Sequence, residues 1–218
     1  MAVLDPIKPT ILSARAIPNV QREFAAKLGL TDEQRSVGIL TCDIDDSLYV
    51  ALDEATKAAE VEVVYARSFY AGSDHASGPL SGEIIGILAG PDPAEVRAGL
   101  NAAIDYAENE AWFHAANEAG DLAFFAHTLS RTGRYLSKEA GVDEGTPLSY
   151  LIAPPIEATI GVDAALKAAE VELQVWFEPP SETNFSGALL SGTQSACRAA
   201  SQAFQDAVLD VARDPHKF

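Results

Sequence analysis

The sequence predicts an α+β fold made of two similar domains that follow one another along the chain. The stretch KAAEVE at residues 57–62 recurs letter for letter at residues 167–172, an offset of 110 in a chain of 218 residues. Strand-like and helix-like segments also follow the same order in both halves, without the strict alternation that is typical of parallel sheets. We therefore place one domain in residues 1–110 and the other in residues 111–218, each with helices on one face of a mostly antiparallel sheet.

The first copy predicts the order strand, helix, strand, helix, strand, strand, helix. The predicted elements are a strand over residues 10–17, a helix over 20–28 capped by Asn19, a strand over 36–42, a helix over 53–59 that begins at Asp53, strands over 61–69 and 83–89, and a helix that begins at Asp92. Asp92 is followed by Pro93 and Glu95, which is a strong pattern for a helix start. An acidic turn over residues 43–46 and a long loop over residues 68–82 separate these elements.

The second copy repeats this order. Its predicted elements are a strand over residues 122–130, a helix through Ala140 that is capped by Thr132, a strand over 148–153, a short helix from Asp163, strands over 171–177 and 188–191, and a helix from Thr193. Gly90 corresponds to Gly192 at an offset of only 102, so the loop over residues 68–82 is longer than its counterpart over residues 178–187. The joint over residues 109–120 contains aromatic residues, which indicates that it packs against a domain.

The charge of the chain limits its partners. Fifteen basic and 32 acidic residues give a net charge of −17, which repels nucleic acid and anionic membranes and favours cations or small positively charged solutes. The same charge could serve solubility alone. No stretch approaches a membrane span and the N-terminal residues do not resemble a signal peptide, so we expect a cytoplasmic protein. Cys42 and Cys197 stand at different places in the two copies, and a reduced pair is favoured over a disulfide.

The known motifs of catalysis are missing from the sequence, so we expect the chain not to be an enzyme. No serine lies in a nucleophile elbow, no glycine-rich loop has the spacing of a phosphate-binding motif, and no two histidines have helical metal-ligand spacing. His75 beside Asp74 could suggest a metal ligand, but a histidine on a glycine-containing loop is more often simply exposed.

Carboxylates instead cluster at strand and loop ends. Asp43, Asp45 and Asp46 lie within four residues, Glu83 opens a predicted strand, and Glu157 occupies the position equivalent to Ser47. Such acidic turns are commonly just solvated. The functional alternative is a site for an ammonium group or a metal ion, with an aromatic wall. The candidates for this wall, each of which could equally be a core residue, are Trp112, Phe113 and Phe185.

Four stretches of the chain are distinctive, and they read DEATKAAEVEVVYARSFYAG, CDIDDS, APPIEATIGVDAALKAAEV and PPSETNFSGALLSG. They closely resemble the EutL family, the tandem-domain shell proteins of the ethanolamine-utilisation bacterial microcompartment. The resemblance covers essentially the whole chain. It implies two circularly permuted shell domains, variants of the ferredoxin-like fold, and a homotrimer that forms a flat pseudo-hexagonal tile. It also implies other shell proteins as partners and a location in the microcompartment shell.

The resemblance further implies a gated central pore and an ethanolamine site beside it. The ethanolamine ligands carried over to this sequence are Asp45, Asp46, Glu83, Phe113, Thr183, Asn184 and Phe185. The residues that match the pore loops are Ser68, Phe69, Tyr70, Ala71, Gly72, Ser73, Asp74, His75, Pro180, Ser181 and Glu182. From the residues alone, the two loops could also be plain connections between strands.

No cofactor is required by this function, although zinc and cobalamin binding are associated with the family. The zinc candidates are Asp46, Glu83 and Glu157. Two other functions stay open at this point. One is a soluble protein that binds or senses ethanolamine with duplicated domains. The other, an enzyme, is the weakest because no motif supports it.

Overall fold

The computed structural model describes residues 1–68, 78–179 and 184–216 of the chain. The elements, in chain order, are β1 (Pro6–Ile7), β2 (Ile11–Ile17), α1 (Arg22–Lys27), β3 (Ser36–Cys42), α2 (Asp45–Ala58), β4 (Glu62–Ser68), β5 (Ile84–Gly90), α3 (Pro93–Asn109), β6 (Phe113–Ala115), β7 (Ala123–Leu129), α4 (Arg134–Ala140), β8 (Leu148–Ala153), α5 (Pro155–Ala168), β9 (Val171–Phe177), β10 (Ser186–Gly192) and α6 (Gln194–Arg213). The order β-α-β-α-β-β-α predicted for each copy is present in both halves of the chain, and the predicted α+β fold is confirmed.

The chain divides into two compact units. The N-terminal unit comprises Lys8–Ala111 together with Gly133–Leu136, and the C-terminal unit comprises Met1–Ile7, Trp112–Thr132 and Ser137–Phe218. The first seven residues belong to the C-terminal unit because β1 pairs with β6. Sequence reasoning placed a single boundary after residue 110, since neither this pairing nor the transfer of residues 133–136 leaves a local signal.

The N-terminal unit is a four-stranded antiparallel sheet in the order β2-β3-β5-β4. Alternate side chains of β3 and β5, such as Leu40 and Leu88, pack with Leu52 of α2 and Leu100 of α3 in the main core. The opposite sheet face carries a smaller cluster of Val37, Ile87 and Ala89, joined by residues that flank α1. The two long helices therefore lie on one face, as predicted, while the α1 region covers part of the other.

The C-terminal unit repeats the order of strands and adds two short ones. Its antiparallel sheet runs β1-β6-β7-β8-β10-β9. Phe204 of α6 lies in its core with Leu151 and Leu190. Buried Phe113 shows that the joint between the copies packs, as its aromatic residues predicted. The thiols of Cys42 and Cys197 are both buried and free.

The repeated KAAEVE stretch has the same structural task in both units. A Cβ atom on Gly90 would lie 3.1 Å from the carbonyl oxygen of Glu60, and one on Gly192 would lie 3.1 Å from that of Glu170. The chain thus passes from helix to strand against a glycine in each copy. A β-bulge also recurs, because one residue between Val63 and Tyr65 in β4, and one between Leu173 and Val175 in β9, has no cross-strand partner.

Two helix starts were predicted wrongly. Both α2 and α5 begin eight residues before the predicted Asp53 and Asp163, which are interior helix residues. Their N-caps, Ile44 and Pro154, make no side-chain capping hydrogen bond, so the signal of a capping side chain is missing, although Pro155 stands at the first position of α5. The last two residues of the predicted acidic turn, Asp45 and Asp46, consequently lie in the first turn of α2.

The caps of the remaining helices agree only in part with prediction. Asp92 and Thr193 cap α3 and α6 as predicted. The α1 helix is capped by Gln21, whose side chain accepts from the N–H groups of Glu23 and Phe24, and not by Asn19. In the part of the chain that the structure describes, no helix is long and apolar enough to span a membrane.

Candidate functional site

Two buried carboxylates lie at the start of α2 in the N-terminal unit. Asp45 and Asp46 are only 7% and 6% exposed. Asp45 Oδ1 accepts the N–H of Asp46 at 2.9 Å, and the positive end of a helix dipole favours carboxylates in this first turn. Just upstream, Asp43 Oδ1 accepts the N–H of Thr10 at 2.6 Å and fixes the end of β3. The sequence indicated these residues as a cluster and left open whether they form a solvated turn, whereas Asp45 and Asp46 are buried.

Glu83 is brought to the same strand end by the residue that precedes it. Gly82 has a φ of +63°, and a Cβ atom there would lie 2.0 Å from the carbonyl oxygen of Cys42. Only glycine permits this close turn, after which the N–H of Glu83 donates to that carbonyl at 2.8 Å. Glu83 thereby lies within electrostatic reach of Asp43 and Asp45.

Burial governs the ionisation of this cluster. It raises the pKa of Asp45, against which hydrogen bonds from the Asp46 N–H and from Ser68 act in part. It also raises the pKa of Glu83, and the negative charges of Asp45 and Asp43 raise that pKa further. Partly desolvated carboxylates close together favour their neutral forms, and a bound cation would reverse that preference.

Tyr49 is a member of the cluster that the sequence did not reveal. Its hydroxyl accepts the N–H of Ser68 at 3.0 Å and donates to Ser68 Oγ at 3.2 Å. Burial, followed by the charges of Asp45 and Asp46, raises the pKa of this phenol. Tyr49 lies one helical turn after Asp45, a spacing that would have indicated a shared face if the helix start had been recognised.

A second group of predicted residues lies in the C-terminal unit. The buried Phe113 ring stacks on Phe125 with centroids 5.0 Å apart and lies 6.2 Å from the ring of Phe185. The centroid of the Phe125 ring in turn lies 5.2 Å from that of His127 and 5.7 Å from that of Tyr150. Sequence reasoning missed these last three, because alternate strand residues that look like core do not by themselves indicate an aromatic row.

The predicted ethanolamine ligands thus fall into two sets. Asp45, Asp46 and Glu83 come together in the N-terminal unit, and Phe113 and Phe185 in the C-terminal unit, where Asn184 precedes Phe185 with a φ of +63°. Of the predicted pore-loop residues, Ser68 ends β4. Those outside the described residues are Phe69, Tyr70, Ala71, Gly72, Ser73, Asp74, His75, Pro180, Ser181 and Glu182, as is the ligand Thr183.

The zinc candidates stay a prediction. Glu157 is half-buried in the first turn of α5. Within residues 1–68, 78–179 and 184–216, no group of three or more His, Cys, Asp or Glu side chains is arranged to hold a metal ion.

Comparison with known proteins identifies the family. The model of the BMC domain family matches residues 36–117. The chain is 57% identical to the bacterial microcompartment shell protein EutL of Clostridium perfringens over 214 residues, which cover 98% of this chain and 99% of that one. It is 54% identical to EutL of Escherichia coli K12, with 99% and 98% of the two chains covered. The chain belongs to the EutL family of bacterial microcompartment shell proteins.

Solved structures agree with this membership. The crystal structure of the ethanolamine utilisation protein EutL from Leptotrichia buccalis superposes with a TM-score of 0.96 at 56% identity, over the whole of both chains. A trimeric shell protein PduB has a TM-score of 0.74 at 21% identity, over 94% of this chain and 89% of that one, and shows the shared fold only. The resemblance to the EutL family read from the sequence is confirmed, and so is the location in a microcompartment shell.

Proposed function

We propose that this EutL-family chain is a homotrimeric tile in the shell of an ethanolamine-utilisation microcompartment. The tile has a gated central pore for a metabolite or cofactor, and an ethanolamine site near that pore. The chain catalyses no reaction and works together with other shell proteins. The observation that carries this proposal is the similarity to EutL proteins along almost the full chain, at more than half of its positions.

The trimer is supported by the duplication. Each chain contains two units with the same order of strands and helices, so three chains supply six similar units. Six similar units are the number that a closed, nearly six-fold ring requires. The symmetry is only approximate because the two copies differ in sequence and in loop length.

The ethanolamine site is supported by the chemistry of its proposed ligands. The buried carboxylates of Asp45 and Asp46, with Glu83 nearby, suit an ammonium group, which would compensate the cost of their burial. Phe113 and Phe185 offer an aromatic wall that attracts cations. Asn184 and Thr183 would bind the hydroxyl group of the ligand.

We assign the gate to two loops, one that follows Ser68 and one that precedes Asn184. Both of these residues adjoin proposed ligands, since Ser68 hydrogen-bonds to Asp45 and Asn184 precedes Phe185. A ligand that prefers one arrangement of the loops would shift the population of the pore toward that arrangement. Zinc at Asp46, Glu83 and Glu157, and cobalamin, are further ligands that we propose without assigning either a required role.

Two measurements on the purified chain test this function. Light scattering should give the mass of a trimer, and electron microscopy of concentrated protein should show two-dimensional sheets. Calorimetry should detect ethanolamine binding that weakens by about tenfold or more in Asp45→Asn and in Glu83→Gln, because each change removes one negative charge from the site. The exposed Asp105→Asn, in the same unit, should bind ethanolamine as the wild type does.

The outcomes separate the candidate functions. A strictly monomeric particle would exclude the shell tile, and ethanolamine binding by such a monomer would favour a soluble binding or sensor protein. Unchanged affinity in both carboxylate variants would remove the proposed site but leave the tile. Turnover of ethanolamine or acetaldehyde would contradict the non-enzymatic assignment.

A further inference from the structure

Residues 133–136 of the second copy are held in the N-terminal unit by side chains from the C-terminal half of α2. The carboxylate of Asp53, which is fully buried, accepts the N–H of Gly133 at 2.7 Å and the N–H of Leu136 at 2.8 Å. The first turn of α4 is therefore capped by a residue from another helix, and not by the predicted Thr132. Lys57 lies 3.6 Å from the same carboxylate and balances its charge.

Arg134 completes this attachment with hydrogen bonds at both ends of its side chain. Its backbone N–H donates to Thr56 Oγ1 at 3.0 Å. Its guanidinium group donates to the carbonyl oxygens of Ala59 and Val61 at 3.0 and 2.9 Å, where α2 ends and the KAAEVE stretch turns into β4. The start of α4, with Arg134 at its first position, thus packs on the C-terminal half of α2.

The strand registers show which residues correspond to this segment in the first copy. Ile17 of β2 pairs with Val37, as Leu129 of β7 pairs with Leu148, which sets an offset of 112 between β2 and β7. The same offset relates α1 to α4, which both begin with arginine, Arg22 and Arg134. Residues 21–24 therefore correspond to residues 133–136.

The glycines after the two short helices support this correspondence. Gly29 follows α1 and Gly141 follows α4, again 112 residues apart, with φ angles of +70° and +67°. The offset of 110 relates α2, which receives residues 133–136, to α5 over the full length of both helices. The counterpart of the Asp53–Lys57 pair is accordingly Asp163–Lys167.

The counterparts of this attachment, on α1 and on α5, are exposed to solvent. Phe24 of α1 is 44% exposed, whereas its counterpart Leu136 is 2% exposed. The side chain of Asp163 is 63% exposed, whereas that of Asp53 is fully buried. Ile160 and Leu166 are exposed beside Asp163 on α5, while Thr56, the counterpart of Leu166, is buried.

We infer that the exposed face of α5 is a docking surface for α1 of a second copy of this chain. The occupant follows from the molecule itself, because the chain already contains one attachment between equivalent elements and leaves the two complementary faces of the next one uncovered. Phe24 would pack on Ile160 and Leu166, and the guanidinium of Arg22 would bind the carbonyl groups of Ala169 and Val171. The inference rests on the proposed trimer and names the surfaces that build it.

The contact between copies is looser and more apolar than its counterpart within the chain. A Cβ atom on Gly133 would lie 2.6 Å from the carbonyl oxygen of Asp53, so Gln21 cannot approach α5 as closely as Gly133 approaches α2. Gln21 instead caps its own helix, and Leu166 replaces the hydroxyl of Thr56. Aromatic and aliphatic side chains thus take the place of buried hydrogen bonds.

This arrangement makes the association head to tail. Each copy offers α1 to one neighbour and α5 to the other, and such a heterologous contact generates a ring when the rotation closes. Both faces must then be intact in every copy for a ring to form. A mixture of two copies that are each damaged at a different face could pair only once.

Mixing of two variants tests this inference on the full-length chain. Phe24→Asp removes the α1 face and Leu166→Asp removes the α5 face, and each alone should weaken self-association by about 30-fold or more, as loss of a central apolar anchor does. Light scattering should give monomers for each variant. An equal mixture should give heterodimers, identified by native mass spectrometry with one variant carrying a mass tag.

Controls and outcomes keep the inference separate from the proposed trimer. Tyr65→Asp, at a side chain exposed to the same degree as Phe24, should leave the wild-type assembly intact. A wild-type trimer that persists in both face variants would overturn the inference while the trimer stands. Monomers that fail to pair on mixing, or dissociation of the control as well, would overturn it too. A monomeric wild type would exclude the trimer itself.

Discussion

The two units carry the same aspartate–lysine pair in opposite environments. Asp53 and Lys57 of α2 are buried and lie 3.6 Å apart, while Asp163 and Lys167 of α5 are exposed and lie 2.6 Å apart. The closer pair is thus the one in water, where an ion pair contributes about 0–1 kcal/mol to stability. The more distant pair includes a carboxylate that also accepts two backbone N–H groups.

This difference shows that duplicated residues need not keep a duplicated role. Burial raises the pKa of Asp53, although the hydrogen bonds from Leu136 and Gly133 and the charge of Lys57 act in the opposite direction. The carboxylate is retained in a costly place because it organises the backbone of residues 133–136. In the second copy the same sequence forms an ordinary surface pair.

Substitution of Asp53 should have the largest effect on stability, and it tests the difference between the two pairs. Asp53→Asn leaves one carboxamide oxygen to accept what two carboxylate oxygens accept now. It also removes one of the two carboxylates beside Lys57, the other being that of Glu54 at 2.5 Å. Loss of a buried hydrogen bond and of a buried charge partner should lower the free energy of unfolding by about 2–4 kcal/mol. Urea denaturation measures this change.

The matched control for this variant is Asp163→Asn, which should change the free energy of unfolding by less than about 0.5 kcal/mol when the protein is held monomeric by Leu166→Asp. Equal effects in the two copies would contradict the distinction drawn between the buried and the exposed pair.

A smaller effect should follow from closing the space around residue 133. Gly133→Ala places a methyl group 2.3 Å from Thr56 Oγ1 and 2.6 Å from the Asp53 carbonyl oxygen, so the segment has to shift. Overpacking of this kind costs about 1–3 kcal/mol. Gly78→Ala, whose added methyl group would have only Ser81 Oγ nearby at 3.8 Å, should unfold at the same urea concentration as the wild type.

The smallest expected effect concerns pH and the Asp45 cluster. Because burial holds the pKa of Asp45 above its ordinary value of 3.8, the folded chain binds this proton more tightly than the unfolded chain. Asp45 therefore favours folding below pH 3.8, and this contribution is lost as pH rises through its folded pKa.

Urea denaturation at a series of pH values measures that contribution. The stability of Asp45→Asn relative to the wild type should increase as pH rises from about 4 toward neutrality. Asp105→Asn, which removes an exposed carboxyl group from the same unit, is the control variant at each pH. A constant difference between Asp45→Asn and the wild type would mean that the carboxyl group of Asp45 titrates alike in both states.

The parts of the fold that could be predicted from the sequence are those set by neighbouring residues in the chain. The strands at residues 36–42, 148–153 and 171–177 have the predicted bounds, because their β-branched and apolar residues signal them directly. The starts of α2 and α5 were missed because Ile44 and Pro154 make no side-chain cap, although Pro155 and Glu157 in the first turn of α5 are a start signal. The early turns of those helices place Leu48 and Ala158 in the cores of their units.

The candidate site was predictable in its residue types but not in its physical state. The cluster of Asp45, Asp46 and Glu83 was apparent from spacing and from the family resemblance, yet a run of acidic residues is normally exposed, and these two aspartates are buried. The polar link from Tyr49 to Ser68 depends on the pairing of β4 with β5, which spacing alone does not indicate. The attachment of residues 133–136 to Asp53 is equally non-local.

The bulges in β4 and β9 have a consequence for solubility. Each of these strands ends the order of its sheet among the described residues, so each presents a row of backbone groups on one side. A bulge increases the local twist of such an edge and interrupts its regular spacing of donors and acceptors. A flat edge would invite fibrous growth between crowded copies. The repeated bulge therefore disfavours edge-to-edge pairing of these two strands.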